Sequence, residues 1–472
     1  MTLDRTSGHT FSHARADFPG GFMFGAATAA FQIEGGAEHR GPSHWDDLCA
    51  TPGTIRNGHD GLVACDHYHR WEEDLDLLAG AGFDAYRFSI SWPRVLPTGG
   101  GEASEGGIAF YDRLVDGMLE RGLRPHATLY HWDLPSALAD AGGWRSRDTA
   151  ERFADYAALV ARRLGDRLRS VATLNEPYCA AWLGHFVGVH APGLRDVRAA
   201  ARAMHHLLLA HGLGVRAMRA EGARNLGIVT NHNLIEPVSD AAGNARQEDR
   251  REEDRRAAVR EDAIQNRWFW EGLHRARYPD EALAGLRPHM PAGFESDMAT
   301  VAEPIDWHGI NYYRRDRIAA AGGRWPATRE EPAAERGAET TGLGWEVHPE
   351  GLTAVLERVA SYTGELPLYV TENGAAYPDP ELANGGADGG ADDGIVDDAP
   401  RVSFYDRHLA AAREAIARGV PLRGYFAWSL LDNFEWAEGY GERFGLCHVD
   451  YDTQRRTPKA SYHAFRAMLA GG

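Results

Sequence analysis

Apolar residues fall along this chain in two alternating patterns. Short β-rich runs recur at FMFGAATA (22–29), AYRFSIS (85–91), RPHATLYHW (124–132) and SVATLNE (170–176). Four more follow at NLGIVTN (225–231), DWHGINYY (306–313), LPLYVTEN (366–373) and LRGYFAWSL (422–430). Several are continuously apolar, as a strand covered on both faces requires. Between them lie longer stretches with helical spacing. DHYHRWEEDLDLLAGAG (66–82) offers Asp66 as an N-cap and ends in glycine. SRDTAERFADYAALVARRLGD (146–166) spaces Phe153, Tyr156, Leu159, Val160 and Leu164 at helical intervals, and SFYDRHLAAAREAIARG (403–419) opens on Ser403 and closes on Gly419. Eight strands alternating with helices predict an α/β fold of the (β/α)8, or TIM barrel, type. A doubly wound open sheet is the main alternative, but no G-x-G-x-x-G turn follows the first run.

No linker divides the chain, so the expected organisation is a single domain over 18–472 with long βα loops, preceded by a disordered tail over 1–17. Two stretches read as surface insertions. Residues 242–262 mix Glu, Asp and Arg in the manner of a solvated helix face, with Glu252 and Arg256 at ion-pair spacing. NGGADGGADDGIVDD (384–398) reads as a mobile loop, and its carboxylates lack the calcium-loop spacing with a terminal Glu.

In such a barrel the functional side chains sit at the carboxyl ends of the strands. The first run leads into Gln32 and Glu34, the second carries Arg87, and the third ends at His131 and Trp132. The fourth ends at Asn175 and Glu176, and Pro177 predicts an extended backbone at Glu176. The fifth reaches Asn231, His232 and Asn233; the sixth supplies Asn311 and Tyr313. The seventh ends at Glu372 and Asn373, and the eighth at Trp428, followed by Glu435 and Trp436. Two carboxylates at one mouth suit glycosidic-bond cleavage, where one protonates the leaving oxygen and the other attacks the anomeric carbon or activates water. Amides, imidazole and indole around them suit a neutral polyol.

Composition removes several rivals. A formal net charge of −18 disfavours nucleic-acid and anionic-membrane partners. Lys459 is the only lysine, which narrows any lysine-based mechanism to one residue. Cys49, Cys65, Cys179 and Cys447 form no CxxC pair, which argues against a zinc ribbon or a disulfide framework. No apolar signal region opens the chain and no run of eighteen apolar residues occurs, so a cytoplasmic location and no membrane span are expected. A metal hydrolase on this barrel needs HxH at the end of the first strand, where FQIEG stands instead; His67 and His69 read as structural. No G-x-S-x-G supports serine hydrolysis.

These motifs resemble glycoside hydrolase family 1, the β-glucosidase group, from about Phe18 to the C-terminus. FPGGFMFGAATAAFQIEGG is similar to the family's N-terminal signature, and DHYHRWEEDLDLLAGAGFDAYRFSISWPRVLPTG to its second block. YHWDLP, TLNEP, GINYY, VTENG and WSLLDNFEW follow in family order. The resemblance implies Glu176 as general acid/base and Glu372 as nucleophile, with Arg87 and Tyr313 hydrogen-bonding the nucleophile. It implies Asn175 on the sugar 2-hydroxyl, Gln32, His131, Glu435 and Trp436 on the other hydroxyls, and Trp428 as the platform under the ring. Trp132 and Asn311 join the substrate-binding set; Trp345, Trp182 and Asn233 are expected on the aglycone side.

The acid at Glu435 implies a sugar without phosphate, and the acid at Glu176 implies O-glycosides rather than thioglucosides. The Gly/Asp insertion at 384–398 departs from the family pattern. Retention implies carboxyls about 5–5.5 Å apart, with no cofactor or metal. The leading expectation is a retaining β-glucosidase acting on small β-glycosides such as cellobiose and aryl glucosides. A transglycosylase and a catalytically silent sugar-binding barrel are the alternatives, and the oligomeric state is left open.

Overall fold

The computed structural model describes residues 9–238, 245–379 and 396–471. Eight parallel strands close into a barrel. They are β1 (Met23–Ala27), β2 (Ala85–Ser89), β3 (Arg124–Tyr130), β4 (Ser170–Asn175), β5 (Leu226–Asn231), β6 (Trp307–Asn311), β7 (Leu368–Asn373) and β8 (Leu422–Trp428). Each pairs with its neighbours in sequence, and β8 closes onto β1, where Ala27 lies opposite Trp428 on one side and Arg87 on the other. Each strand lies within one of the eight runs read from the sequence.

Helices cover the barrel from outside, among them α1 (His67–Gly80), α2 (Glu105–Glu120), α3 (Arg147–Leu164), α4 (Val197–Ala220), α5 (Ala245–Asp262), α6 (Pro349–Thr363), α7 (Ala399–Ala417) and α8 (Ala460–Ala470). Along α3, Phe153, Tyr156, Val160 and Leu164 are buried, so its apolar stripe faces the sheet. Glu252 and Arg256 on α5 pair at 2.8 Å, one helical turn apart.

Two helix starts differ from expectation. Asp66 occupies the N-cap position of α1 with φ 51° but makes no cap hydrogen bond. Its carboxylate is taken by His69 at 2.6 Å instead. Helix α7 begins at Ala399, four residues before Ser403, because Pro400 fits a first turn that needs no N–H from it. Of the insertion at 384–398, residues 384–395 lie outside the described residues.

Of the tail expected over 1–17, residues 9–17 are packed on the barrel. Phe11 packs edge-on against Phe465 of α8 at 4.9 Å. Arg15 donates to both oxygens of Asp84, at 2.6 and 2.7 Å. An apolar anchor and a bidentate ion pair hold this segment on the barrel; residues 1–8 lie outside the described residues.

Two small sheets outside the barrel were not visible in the sequence. Leu234–Pro237, Arg315–Ala320 and Thr328–Glu330 form one, and Cys447–Asp450 with Arg455–Pro458 form the other. Their residues are half polar, so no apolar run marks them. The lone lysine works beside the second sheet. Lys459 is fully buried and donates to Asp379 at 2.7 Å and Asp432 at 2.9 Å. Arg443 also donates to Asp432, at 2.9 Å. This network fixes the loop after β8, three residues before Glu435.

Candidate active site

The strands that carry the two acids are both irregular just before them. Pairing of β4 with β5 shifts register between Ala172 and Asn175, and pairing of β7 with β6 shifts between Val370 and Glu372. Irregularities of this kind re-aim side chains at a barrel rim. Beyond Glu372, Gly374 is required by close approach, since a Cβ there would collide with the Trp428 carbonyl.

Glu176 is not extended. Its φ is 46°, in the left-handed region. Its N–H still donates to Val229 of β5 at 2.9 Å, while its carbonyl accepts from Cys179 at 2.9 Å. The chain thus leaves the strand and enters the π-helical segment Cys179–Val187 almost at once. Pro177 disfavours the right-handed region at Glu176, and the two backbone bonds hold it in the left-handed one.

The two carboxylates have unlike surroundings. Arg87 Nη1 donates to Glu372 Oε1 at 2.6 Å, and Tyr313 Oη donates to Oε2 at 2.6 Å. Glu176 receives only neutral donors: Asn311 Nδ2 on Oε1 at 2.7 Å and Cys179 Sγ on Oε2 at 3.1 Å. An arc of hydrogen bonds joins the two acids. Arg87 Nη2 donates to Asn175 Oδ1 at 2.7 Å, and Asn311 Nδ2 donates to the same oxygen at 3.1 Å.

Burial, then the Glu372 charge, raises the Glu176 carboxyl to about 8. Burial and the same two neighbouring acids raise Glu435 to about 8. Desolvation keeps the Tyr313 phenol and the Cys179 thiol protonated, as donors. It also holds His131 well below its ordinary value, as a neutral imidazole.

Glu176 and Glu372 line one cavity of about 430 Å3 at the carboxyl ends of the strands. His131, Trp132, Tyr313, Trp428, Glu435 and Trp436 share its inner walls. Asn233 and Trp345 lie on the same lining. Trp132 and Trp436 pack at 4.5 Å, and both hold left-handed backbone, with φ 79° and 49°. Gln32 stands behind Glu435 and donates to it at 3.3 Å, while its Oε1 is left without a partner. His131 Nδ1 and Asn231 Oδ1 are likewise buried and unpartnered. Free polar atoms at a cavity of this kind are what a polyhydroxylated ligand uses.

Some expected site residues sit elsewhere. Asn175 and Asn311 are fully buried and spend their amides on Arg87, His131 and Glu176. Trp182 is buried against Phe186 at 4.2 Å, behind Tyr178 and Leu183, which do line the cavity. Glu34 binds Arg94 and Tyr111, at 2.8 and 2.7 Å, outside the cavity. His232 accepts from Trp270, and Asn373 donates to the Tyr312 carbonyl.

Two groups of side chains have metal-ligand proximity among the described residues: Glu38, His39 and His69 on the surface, and Asp379, Asp432 and His448. Neither lies on the cavity, and Lys459 already fills the second. His67 is bonded to Asp74 at 2.7 Å, in keeping with a structural reading.

The model of glycosyl hydrolase family 1 matches residues 14–471 of this sequence. The chain belongs to glycosyl hydrolase family 1. It is 46% identical over 462 residues to a β-glucosidase of Agrobacterium sp. (strain ATCC 21400), covering 97% of this chain and 96% of that one. It is 44% identical over 471 residues to a bifunctional β-D-glucosidase/β-D-fucosidase of Bifidobacterium breve, covering 96% and 98%. The solved family 1 β-glucosidase from Thermotoga maritima superposes with a TM-score of 0.88 at 41% identity, covering 96% of this chain and 99% of that one.

Sequence reading of this family 1 chain passed over Cys179, Gln265 and Arg314, which also line the cavity. For Cys179 a signal existed: it follows Glu176 by three residues in a segment that Pro177 can open as a helix. Gln265 lies in a second π-helical segment, Ala263–Arg267, for which the sequence offers no sign.

Proposed function

We propose that this glycosyl hydrolase is a retaining β-glucosidase that releases terminal non-reducing β-D-glucosyl residues from small glycosides such as cellobiose and aryl β-glucosides. The observation that carries the reading is the contrast between the two acids on one cavity. Glu372 is held by a guanidinium and a phenol, which suits a carboxylate nucleophile. Glu176 is buried among neutral donors and keeps a proton to about pH 8, which suits a general acid. The naming of the Agrobacterium and Bifidobacterium relatives supports the same substrate class.

In the first displacement Glu372 attacks the anomeric carbon while Glu176 protonates the departing oxygen. An ester bond forms, the glycosidic bond breaks, and the aglycone leaves as an alcohol. The Glu372 charge is then gone, so the repulsion that raised the Glu176 carboxyl falls. Glu176, its proton already passed to the aglycone, therefore stays a carboxylate and takes a proton from water, whose oxygen attacks the anomeric carbon as the ester bond breaks and Glu372 regains its charge. Side chains alone move every proton and the glycosyl group. Arg87 and Tyr313 aim Glu372; Asn175, bonded to Arg87 and His131 in the free enzyme, exchanges its bond to His131 for the 2-hydroxyl when the sugar binds.

Gln32, His131, Glu435 and Trp436 bind the remaining hydroxyls, with Trp428 beneath the ring and Trp132 and Asn311 supporting them. Trp345 and Asn233 meet the aglycone, with Trp182 backing that wall. Glu435, an acid that holds its proton to about pH 8, gives a phosphorylated sugar no counter-charge.

The test is a panel of aryl β-glucoside, β-galactoside, β-fucoside and β-xyloside, with products followed by NMR. Turnover of the glucoside with first appearance of β-glucose is expected. No turnover of any member, or first appearance of the α-anomer, contradicts the reading. Added alcohol in the same assay measures transfer to acceptors other than water.

A further inference from the structure

A second cavity, of about 90 Å3, occupies the opposite half of the barrel, below Arg87. His126 and Thr128 from the middle of β3 and Ser170 at the start of β4 form one wall, with Trp307 and Phe426 also on the lining. Arg169, Asn225 and Asp306 form its rim at the barrel's amino-terminal face. Arg87 is the partition. Its Nη1 and Nη2 bond Glu372 and Asn175, its Nε is buried and without a partner, and Arg87 is one of the residues that line the lower cavity.

Two more lining residues carry a buried atom without a partner, Thr128 at Oγ1 and His126 at Nε2. Arg87, Thr128 and His126 are 2, 1 and 8% exposed. Buried polar groups left unpaired are costly, and where a site is polar and roomy a bound water pairs them. At ~30 Å3 per water the volume holds about three. The chemistry around it favours a neutral occupant. The guanidinium charge is already met by Glu372, the rim carries one cation and one anion in Arg169 and Asp306, and burial holds the His126 imidazole neutral.

We propose that the lower cavity is a built water site: about three waters bond Arg87 Nε, Thr128 Oγ1 and His126 Nε2, and solvate the guanidinium from behind when Glu372 loses its charge. The second clause rests on the reading of Glu372 as nucleophile. Once Glu372 becomes an ester, Arg87 keeps a full charge in a buried position with no carboxylate at 2.6 Å. Waters free to turn their oxygens towards it lower the free energy of that intermediate. Thr128 is then a positioning residue, acting through water on Arg87.

A high-resolution crystal structure of the free enzyme tests the site itself, independently of any activity. Ordered waters within hydrogen-bond distance of all three atoms are expected; an empty cavity, or a tetrahedral oxyanion in it, overturns the proposal. Stopped-flow hydrolysis of a dinitrophenyl β-glucoside by Thr128→Leu, which fills the cavity, tests the role. The glycosylation step is expected to slow about tenfold, while deglycosylation is unchanged or faster, because the intermediate alone is destabilised. General damage slows both steps, and that result, or two unchanged rates, overturns the role. Should Thr128→Leu not fold, the near-isosteric Thr128→Val gives the same asymmetry at about threefold, and its absence has the same meaning.

Discussion

Asn311 donates its side-chain nitrogen to Glu176 Oε1 at 2.7 Å, from β6, two strands away around the barrel. An amide expected on the sugar therefore holds the acid. Because Oε1 accepts the strong amide N–H at 2.7 Å and Oε2 only the weak thiol donor of Cys179 at 3.1 Å, the proton that Glu176 delivers in the proposed mechanism belongs on Oε2. Asn311→Ala removes a donor that favours the carboxylate form. The alkaline limb of kcat/KM is expected to move to higher pH, and kcat to fall about tenfold, with KM little changed. Loss of affinity with an unmoved limb would return Asn311 to the sugar.

The wild-type pH profile carries its own sign. In the proposed mechanism the first displacement needs protonated Glu176, so kcat/KM is expected to fall as pH rises through its raised value, about 8. A limb near the ordinary carboxylate value, below pH 5, would show that burial and Glu372 do not hold the proton.

Glu435 also titrates high, near 8, because it is enclosed with two other acids. A carboxyl whose folded value lies above its unfolded one binds its proton more tightly in the folded state. It therefore lowers stability as pH rises from the unfolded value towards 8. Glu435→Gln is expected to raise Tm at pH 9 but not at pH 4, and to raise KM for glucosides by tenfold or more. An equal Tm change at both pH values would contradict this, and calorimetry reads it directly.

Tyr313 gives Glu372 its one hydroxyl donor, at 2.6 Å. Loss of a hydrogen bond to a charged group is worth roughly 1.5–3 kcal/mol, so Tyr313→Phe should lower kcat/KM about 10- to 100-fold without unfolding the protein. Steady-state kinetics with circular dichroism separates the two outcomes.

Lys459 is a structural counterpart. Lys459→Met leaves the buried Asp432 and the half-buried Asp379 beside one cation fewer, and removing one partner of a buried pair typically costs about 3–5 kcal/mol. Urea denaturation is expected to show a loss of that order, and Lys459→Arg a smaller one.

Much of this was legible in the sequence, and the reason is physical. A barrel strand covered on both faces must be apolar along its length, so all eight runs could be read, and the rule that function gathers at their carboxyl ends located Glu176 and Glu372. What could not be read was direction. Asn373 and Asn175 both neighbour an acid, yet one turns to the Tyr312 carbonyl and the other to Arg87, because register shifts near each acid set the outcome. Trp182 and Tyr178 lie four residues apart in one helical segment, and only the second faces the cavity. The side sheets were hidden because half-polar strands on a barrel's flank leave no apolar signature.

The division of labour between the two acids is tested most directly by azide rescue of their alanine variants. Glu372→Ala with azide should yield the α-glucosyl azide, since azide enters where the nucleophile stood. Glu176→Ala with azide should yield the β-glucosyl azide from the covalent intermediate. The opposite anomers would contradict the assignment of Glu372 as nucleophile and Glu176 as acid/base.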